Sequence, residues 1–353
     1  MVGMSKTNAG NFFEDFTVGQ MIRHATPRTV TTGDVAVYAA LYGSRHAVTS
    51  SEPFAVALGF ETLPVDDLLV FHVVFGKTVP DISLNAVANL GYAECVFRAP
   101  VYPGDTLRAE SDVIGRKENS NGKTGVVYVR SRGINQHGTC VLEFARWVMV
   151  HKRDPSAPAP AEQVPDLADA VAPDDFEGSI GALKFSDYDF TLSGSLYRFG
   201  DYEKGERIDH VDGMTIEEAE HQSATRLYQN TAKVHFNELE QKQSRFGRRL
   251  IYGGVIISLA RALSFNGLEN AGRLLGINGG RHVAPTFAGD TIFAWSEVVE
   301  TADIGGRDDV GAVRLRTFAT KNQVCDAFPG ETAPGQYAEN VVLDLDYWAA
   351  LPK

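Results

Sequence analysis

The residues best suited to chemistry lie in one stretch of the second half of the chain, LYQNTAKVHFN at Leu227–Asn237. Asn230 and His235 stand five residues apart, just after a predicted helix, so one turn can bring both side chains to the same side of a cleft. An imidazole that titrates near neutrality can take up or deliver a proton, and an amide beside it can orient a water molecule. On spacing alone, a satisfied buried histidine and a turn asparagine account for the pair better, since most lone histidines are structural. A second candidate follows in RFGRRLIYGGVIISL, Arg245–Leu259, where Gly253 and Gly254 precede an apolar helix. A helix start carries unpaired N–H groups and the positive end of the dipole, and glycine lets a ligand carbonyl come close. Such donors suit a thioester enolate oxygen and are worth roughly 3–4 kcal/mol each. The glycines equally suit a tight loop-to-helix turn, and the two readings are compatible.

These residues sit in the second copy of a duplicated unit. FEDFTVGQMIRH (Phe13–His24) is answered by FGDYEKGERIDH (Phe199–His210), an offset of 186 residues, and PVYPGDTL (Pro100–Leu107) by PTFAGDTI (Pro285–Ile292), with the offset changed by one. Solenoid repeats run to roughly 20–50 residues, so this longer period indicates a duplicated domain. At matching positions Ser44 faces Asn230 and Thr49 faces His235. One working site per chain is therefore expected, in the second copy. PxxxGDT occurs in both copies and is assigned to architecture, as a turn before a strand.

The elements that must position these groups follow the same order twice. A short N-terminal segment leads to a helix, Asp34–Leu41 or Ile216–Leu227, with Asp34 capping the first and a Thr215/Glu218 capping box opening the second. A longer apolar helix follows, Asp67–Val79 or Gly253–Phe265, apolar almost all round as a buried helix should be. Each copy then ends in β-rich runs: Val96–Arg98, Thr106–Ile114, Gly125–Asn135 and Val141–Val150, then Thr291–Val299, Ala312–Ala319 and Val341–Trp348. One buried helix against an antiparallel sheet is an α+β layer. A helix wrapped by its sheet is a hotdog, and two copies make a double hotdog. Lys152–Asp175, rich in Pro, Ala and Asp, reads as a semi-extended linker. The domains are then 1–151 and 177–353, with the linker at 152–176.

Composition narrows the class. The 353 residues suffice for two domains of roughly 150 each. A net charge of −12 argues against non-specific nucleic-acid binding. Cys95, Cys140 and Cys325 are scattered and include no CxxC pair, which disfavours a disulfide framework or cysteine zinc site. The start, MVGMSKTNAG, lacks the apolar run of a signal peptide, and no apolar run reaches membrane-span length. A soluble cytoplasmic protein in a reducing setting is expected, without a membrane or nucleic-acid partner. Gly76-Lys77-Thr78 and Gly122-Lys123-Thr124 imitate the end of a P-loop but lack its leading glycine, with Phe71 and Lys117 in that place. GxSxG and HExxH are absent. Glu217 and Glu218 read as the solvated first turn of a helix, and His221 as a surface or packing residue.

LYQNTAKVHFN followed by YGG resembles the signature of the MaoC-type (R)-specific enoyl-CoA hydratases, a hotdog family in which an Asp and a His hold the water that adds across an α,β-unsaturated thioester. The resemblance places His235 on the family histidine, Asn230 on the family aspartate (a departure) and Gly254 on the glycine whose N–H binds the thioester oxygen. Longer strings, including YGSRHAVTSSEPFA, VFGKTVPDISLNAVANLGYA and HVDGMTIEEAEHQSATRLYQNTAKVHFN, resemble the mesaconyl-CoA hydratase branch over nearly the whole chain. This implies reversible hydration of an acyl-CoA with its own carboxylate, without a metal or redox cofactor, coenzyme A being part of the substrate. Arg245, Arg248 and Arg249 are candidate holders of the CoA phosphates, along with Gly253 at the acyl end, although a solvated basic turn accounts for the arginines as well. A hotdog thioesterase and an acyl-CoA-binding protein with two decayed sites remain alternatives. The two halves are expected to act as a pseudo-dimer within one chain, a unit that could also form homo-oligomers.

Overall fold

The computed structural model describes residues 6–353; the first five residues of the N-terminal domain, and the part of MVGMSKTNAG that they supply, lie outside them. The first copy runs β1 (Met21–Thr29), α1 (Thr32–Tyr42), α2 (Asp67–Thr78), β2 (Ala86–Phe97), β3 (Thr106–Glu118), β4 (Thr124–Ile134) and β5 (Cys140–His151). The second runs β6 (Arg207–Thr215), α3 (Glu218–Leu227), α4 (Gly253–Leu263), β7 (Arg273–His282), β8 (Thr291–Asp303) and β9 (Val310–Lys321), a small hairpin of β10 (Glu331–Ala333) and β11 (Gln336–Tyr337), and β12 (Val341–Pro352). The ten long strands form one antiparallel sheet in the order β1-β3-β4-β5-β2-β7-β12-β9-β8-β6. The two halves of that order mirror each other about β2 and β7, which pair through Cys95↔Ile277 and Val96↔Gly276. At this joint a side chain on residue 276 would press on the Cys95 carbonyl, so only glycine fits.

The sheet wraps α2 and α4. All twelve residues of α2 are buried, and so is α4 from Gly254 onward. One hydrophobic core spans both copies, joining Phe71, Val74 and Phe75 to Ile256, Leu259 and Leu263. Burying each such side chain contributes about 1.5–3 kcal/mol. Equivalent residues meet across the pseudo-twofold axis. The hydroxyls of Tyr42 and Tyr228, 186 residues apart, lie 2.6 Å from each other. His72 Nε2 lies 2.9 Å from Ser258 Oγ, again 186 residues apart.

The PxxxGDT turns are duplicated down to their hydrogen bonds. Gly104 and Gly289 take positive φ, and Asp105 and Asp290 each accept a backbone N–H at 2.9 Å, from Tyr102 and Phe287. Thr106 then pairs its hydroxyl with Thr29, and Thr291 with Thr215, both at 2.7 Å.

Several local expectations are corrected. Thr31, not Asp34, caps α1; Asp34 sits at the third helical position and closes the capping box from there. Thr215 does not open α3, because it is the last ladder residue of β6 and its hydroxyl is engaged with Thr291. Glu217 takes the cap, its N–H bonded to the Glu220 carboxylate at 3.2 Å. The short leading segments are strands β1 and β6, at the two edges of the sheet. A whole strand, β7, goes unread in the sequence, as does β2 up to Cys95.

The segment after β5 is docked along the protein. Gln163 pairs with Arg116, the Val171 N–H donates to Asn278 Oδ1 at 2.8 Å, and Val171 and Phe176 are buried with Phe54, Leu58 and Trp348.

Gly76 on α2 abuts the other copy so closely that a Cβ there would collide with the Tyr228 carbonyl, while Lys77 bonds the Gln229 side chain. The P-loop lookalike is thus an inter-copy clasp. Replacing Gly76 with Ala should cost about 1–3 kcal/mol through overpacking. Denaturant unfolding should show this as a lower midpoint; an unchanged midpoint would contradict the contact.

Candidate active site

The groups singled out in the sequence are set in place by the end of α3. That helix closes in a Schellman turn: Asn230 N–H reaches the Thr225 carbonyl at 3.0 Å, Gln229 N–H reaches Arg226 at 3.1 Å, and Gln229 adopts φ 53°. The matching residue in copy one is Gly43, at φ 60°. The turn buries Asn230, whose Oδ1 accepts the Ala232 N–H at 3.0 Å. This bond fixes the orientation of the amide and leaves Nδ2 without an acceptor among the described residues. One helical turn, Lys233–Phe236, then presents His235.

His235 is held from behind. Its Nδ1 lies 3.0 Å from the Leu250 carbonyl, and Leu250 N–H returns a bond to Val234 at 3.1 Å. A carbonyl can only accept, so Nδ1 carries the proton and the lone pair on Nε2 is free. Burial lowers the His235 pKa to about 4, against a smaller opposing effect of the Leu250 carbonyl. The imidazole is therefore neutral at physiological pH, as a proton acceptor must be.

Asn230, His235 and Gly253 line a single cavity of about 360 Å³ between the two copies. Gly253 and Gly254 are the first two residues of α4, and neither N–H has an acceptor among the described residues. Both glycines are required by crowding: a Cβ on Gly253 would strike the His282 ring, and one on Gly254 would strike Tyr252 and His72. Gly254 itself is buried behind the cavity wall.

The three arginines part company. Arg245 lies at the cavity and crosses Phe246 at 4.4 Å. Arg248 stacks on Phe287 at 3.9 Å. Arg249 is occupied by Glu218 and Glu238, so its charge is already neutralised. His221 is buried, not on the surface, and its Nε2 accepts the Tyr252 N–H at 3.0 Å, satisfying a donor at the start of α4.

Other groups in the cavity were not singled out in the sequence. His282, the last residue of β7, lines it with an unpartnered Nε2, and burial with the neighbouring His235 lowers its pKa to about 4. Counting back 185 residues from it, as the PxxxGDT register requires, gives Phe97, so the comparison of copies carried this signal. Tyr92, Arg146 and Tyr252 complete the inner wall.

Comparison with known proteins gives a consistent set. A family model described as mesaconyl-CoA hydratase matches residues 3–333. The chain is 61% identical over 349 residues to a beta-methylmalyl-CoA dehydratase of Chloroflexus aurantiacus, covering 99% of each. It is 60% identical over 351 residues to a mesaconyl-CoA hydratase of Cereibacter sphaeroides, covering 99% of this chain and 100% of that one. The crystal structure of a protein described as a MaoC domain dehydratase from Chloroflexus aurantiacus superposes with a TM-score of 0.96 at 61% identity, covering 99% of both chains. A Mycobacterium tuberculosis protein with a double hotdog fold superposes at 0.74 with 23% identity and 98% coverage of both, a likeness of fold alone.

The buried histidines make the protein acid-sensitive. His72 and His221 are lowered to about 3, His235 and His282 to about 4, in each case chiefly by burial. In the unfolded chain all four take up a proton near pH 6.5. Below that pH the unfolded state binds more protons than the folded one, so stability is present above 6.5 and is lost as pH falls toward 4, by up to about 1.4 kcal/mol per pH unit for each group. Unfolding midpoints recorded from pH 7 to pH 5 should fall steadily; a flat profile would mean that these rings are not held neutral.

Proposed function

The chain belongs to the mesaconyl-CoA hydratase family, and we propose that its cavity adds water reversibly across the double bond of mesaconyl-CoA (2-methylfumaryl-CoA), giving β-methylmalyl-CoA. The observation that carries this reading is the neutral His235, with Nδ1–H tied to Leu250 and Nε2 free, beside the unspent Nδ2 of Asn230 and the open start of α4. The thioester carbonyl makes the β carbon electrophilic. A water molecule held by Asn230 Nδ2 gives its proton to His235 Nε2 as its oxygen attacks that carbon. Charge then develops on the thioester oxygen, where the N–H of Gly253, which lines the cavity, and the positive end of α4 stabilise it. Protonation of the α carbon completes the addition. A base, an oxyanion site and the activated thioester suffice, so the proposal calls for no metal or redox cofactor. Coenzyme A lies at the mouth, beside the exposed Arg245 and Arg248. Three unpaired thiols fit the reducing cytoplasm in which we place the enzyme.

The amide at residue 230 has an electrostatic reason. The β carbon of this substrate bears a carboxylate, and an aspartate nearby would add a second anion. Two unit charges about 4–5 Å apart repel by several kcal/mol at an effective dielectric constant of about 20. A neutral amide holds the water without that cost.

Adding the protein to mesaconyl-CoA should abolish the enoyl absorbance, and mass analysis should show a gain of one water with the thioester intact. His235→Ala should lower turnover by about 100-fold or more. Release of free CoA would instead mean a thioesterase. For residue 230, the Asn230→Asp enzyme should have kcat/KM for mesaconyl-CoA reduced by about 10-fold or more. An increase would show that charge repulsion does not explain the amide.

A further inference from the structure

The inner end of the cavity holds a positive charge with no anion to match it. Arg146 lies on β5 in the inward phase, between Phe144 and Val148, and is fully buried. Its Nη2 donates to Thr78 Oγ1 at 2.7 Å, its Nη1 lies 3.5 Å from Asn89 Oδ1, and its guanidinium sits 4.3 Å over the Phe75 ring. No carboxylate among the described residues pairs with it, and its Nε has no acceptor. Burial lowers its pKa, but only to about 10, so it remains charged.

The donors around it are also unspent. Asn89 Nδ2 and the Tyr252 hydroxyl are buried without partners, and the Tyr92 hydroxyl makes no hydrogen bond. The other two buried arginines differ. Arg273 is paired with Asp67, and Arg261 donates to the Ala271 carbonyl and Ser264 Oγ. An unmatched buried charge costs several kcal/mol. Arg146 alone carries that cost while facing a cavity.

We propose that Arg146, with Asn89 and Tyr92, is the receptor for a free carboxylate on the acyl chain, and that it makes this site select a dicarboxylic over a monocarboxylic enoyl thioester. The proposal rests on the hydratase reading and names the group that sets its substrate class. Geometry supports the assignment. Val87, Ala88 and Arg245 are exposed and form the mouth, while Arg146, Tyr92 and Phe75 are buried parts of the lining. Across a trans double bond, the thioester and the carboxylate point in opposite directions. A thioester anchored toward the mouth therefore sends its carboxylate inward, with the β carbon between the two.

The test compares mesaconyl-CoA with tiglyl-CoA, in which a methyl group replaces the carboxylate. Wild type should favour mesaconyl-CoA, and Arg146→Met should shrink the ratio of the two kcat/KM values by at least about 30-fold, the loss typical of a buried charge pair. Arg146→Lys should shrink it less. Binding of the unreactive succinyl-CoA and butyryl-CoA, measured by calorimetry, provides an arm that does not depend on turnover. Wild type should prefer succinyl-CoA, and Tyr92→Phe, which keeps the ring and removes one oxygen, should reduce that preference if Arg146→Met does not fold. A folded Arg146 variant with wild-type preference, or a wild type with none, overturns the proposal. If no enoyl thioester is hydrated at all, the hydratase reading fails, and the binding preference still decides whether the receptor exists.

Discussion

The contact on which the site depends is the seat of the Tyr228 carbonyl on Gly76. It joins the end of α3 in one copy to the last turn of α2 in the other, at a distance only a glycine permits. From that fixed point the chain has little freedom. The Schellman turn forces Gln229 into the left-handed region, a conformation that costs a non-glycine residue roughly 1–2 kcal/mol, and Lys77 from α2 grips its side chain. Asn230 is therefore delivered buried, and His235 follows one short helical turn later. The pair we propose as catalytic belongs to copy two, but it is located by copy one.

The second constraint is dryness. A cavity walled by Phe75, Tyr92, Ile256 and Tyr252 keeps His235 and His282 neutral and leaves one arginine without an anion. The same low polarity acts in opposite senses on the two kinds of group. It removes the charge from an imidazole, whose ordinary pKa lies within reach, and leaves the guanidinium charged because its pKa begins too high to be brought to neutrality. A base and a fixed cation can therefore share one small space. No aspartate or glutamate lines it. The negative charge that the site lacks is the one its substrate carries.

Much of this was legible in the sequence. The duplication, the two buried helices and the PxxxGDT turns follow from spacing and apolar phase, whereas Asn230 and His235 stand out as a pair only through the family resemblance. Strand β7 did not, because LLGINGGRH looks like a loop: glycines are depleted in strands. Its glycines answer to tertiary contacts, Gly276 to the Cys95 carbonyl and Gly280 to the Tyr92 ring, and His282 was lost with the strand. Arg146 left a local trace. In VLEFARWVMV the inward phase reads Leu142, Phe144, Arg146, Val148 and Val150, and a charge in that phase must have a buried purpose. The cap of α1 was misassigned by three residues and that of α3 by two, the latter because a strand ladder, which spacing does not reveal, had already claimed Thr215.

We infer one site per chain from an exchange between the copies. The helix residue Phe75 becomes Arg261 at the offset of 186, and the strand residue Arg146, opposite Tyr92, becomes Tyr347, opposite Ile277. Both arginines lie near an aromatic ring, Arg261 6.0 Å from Tyr347, yet only Arg146 is mounted on the sheet facing open space. Arg261 is turned into its own half and satisfied there. Around the loop that carries Ser44 and Thr49, the space is packed by Val48, Phe54, Val171, Phe176 and Phe185, three of them supplied by the segment that joins the copies or lies just after it. A symmetric dimer would have to build its base, its cation and its cover identically on both subunits. Fusion removes that requirement: one half can keep the proton chemistry, the other can hold the charge receptor, and the connecting chain can fill the cleft that is not used.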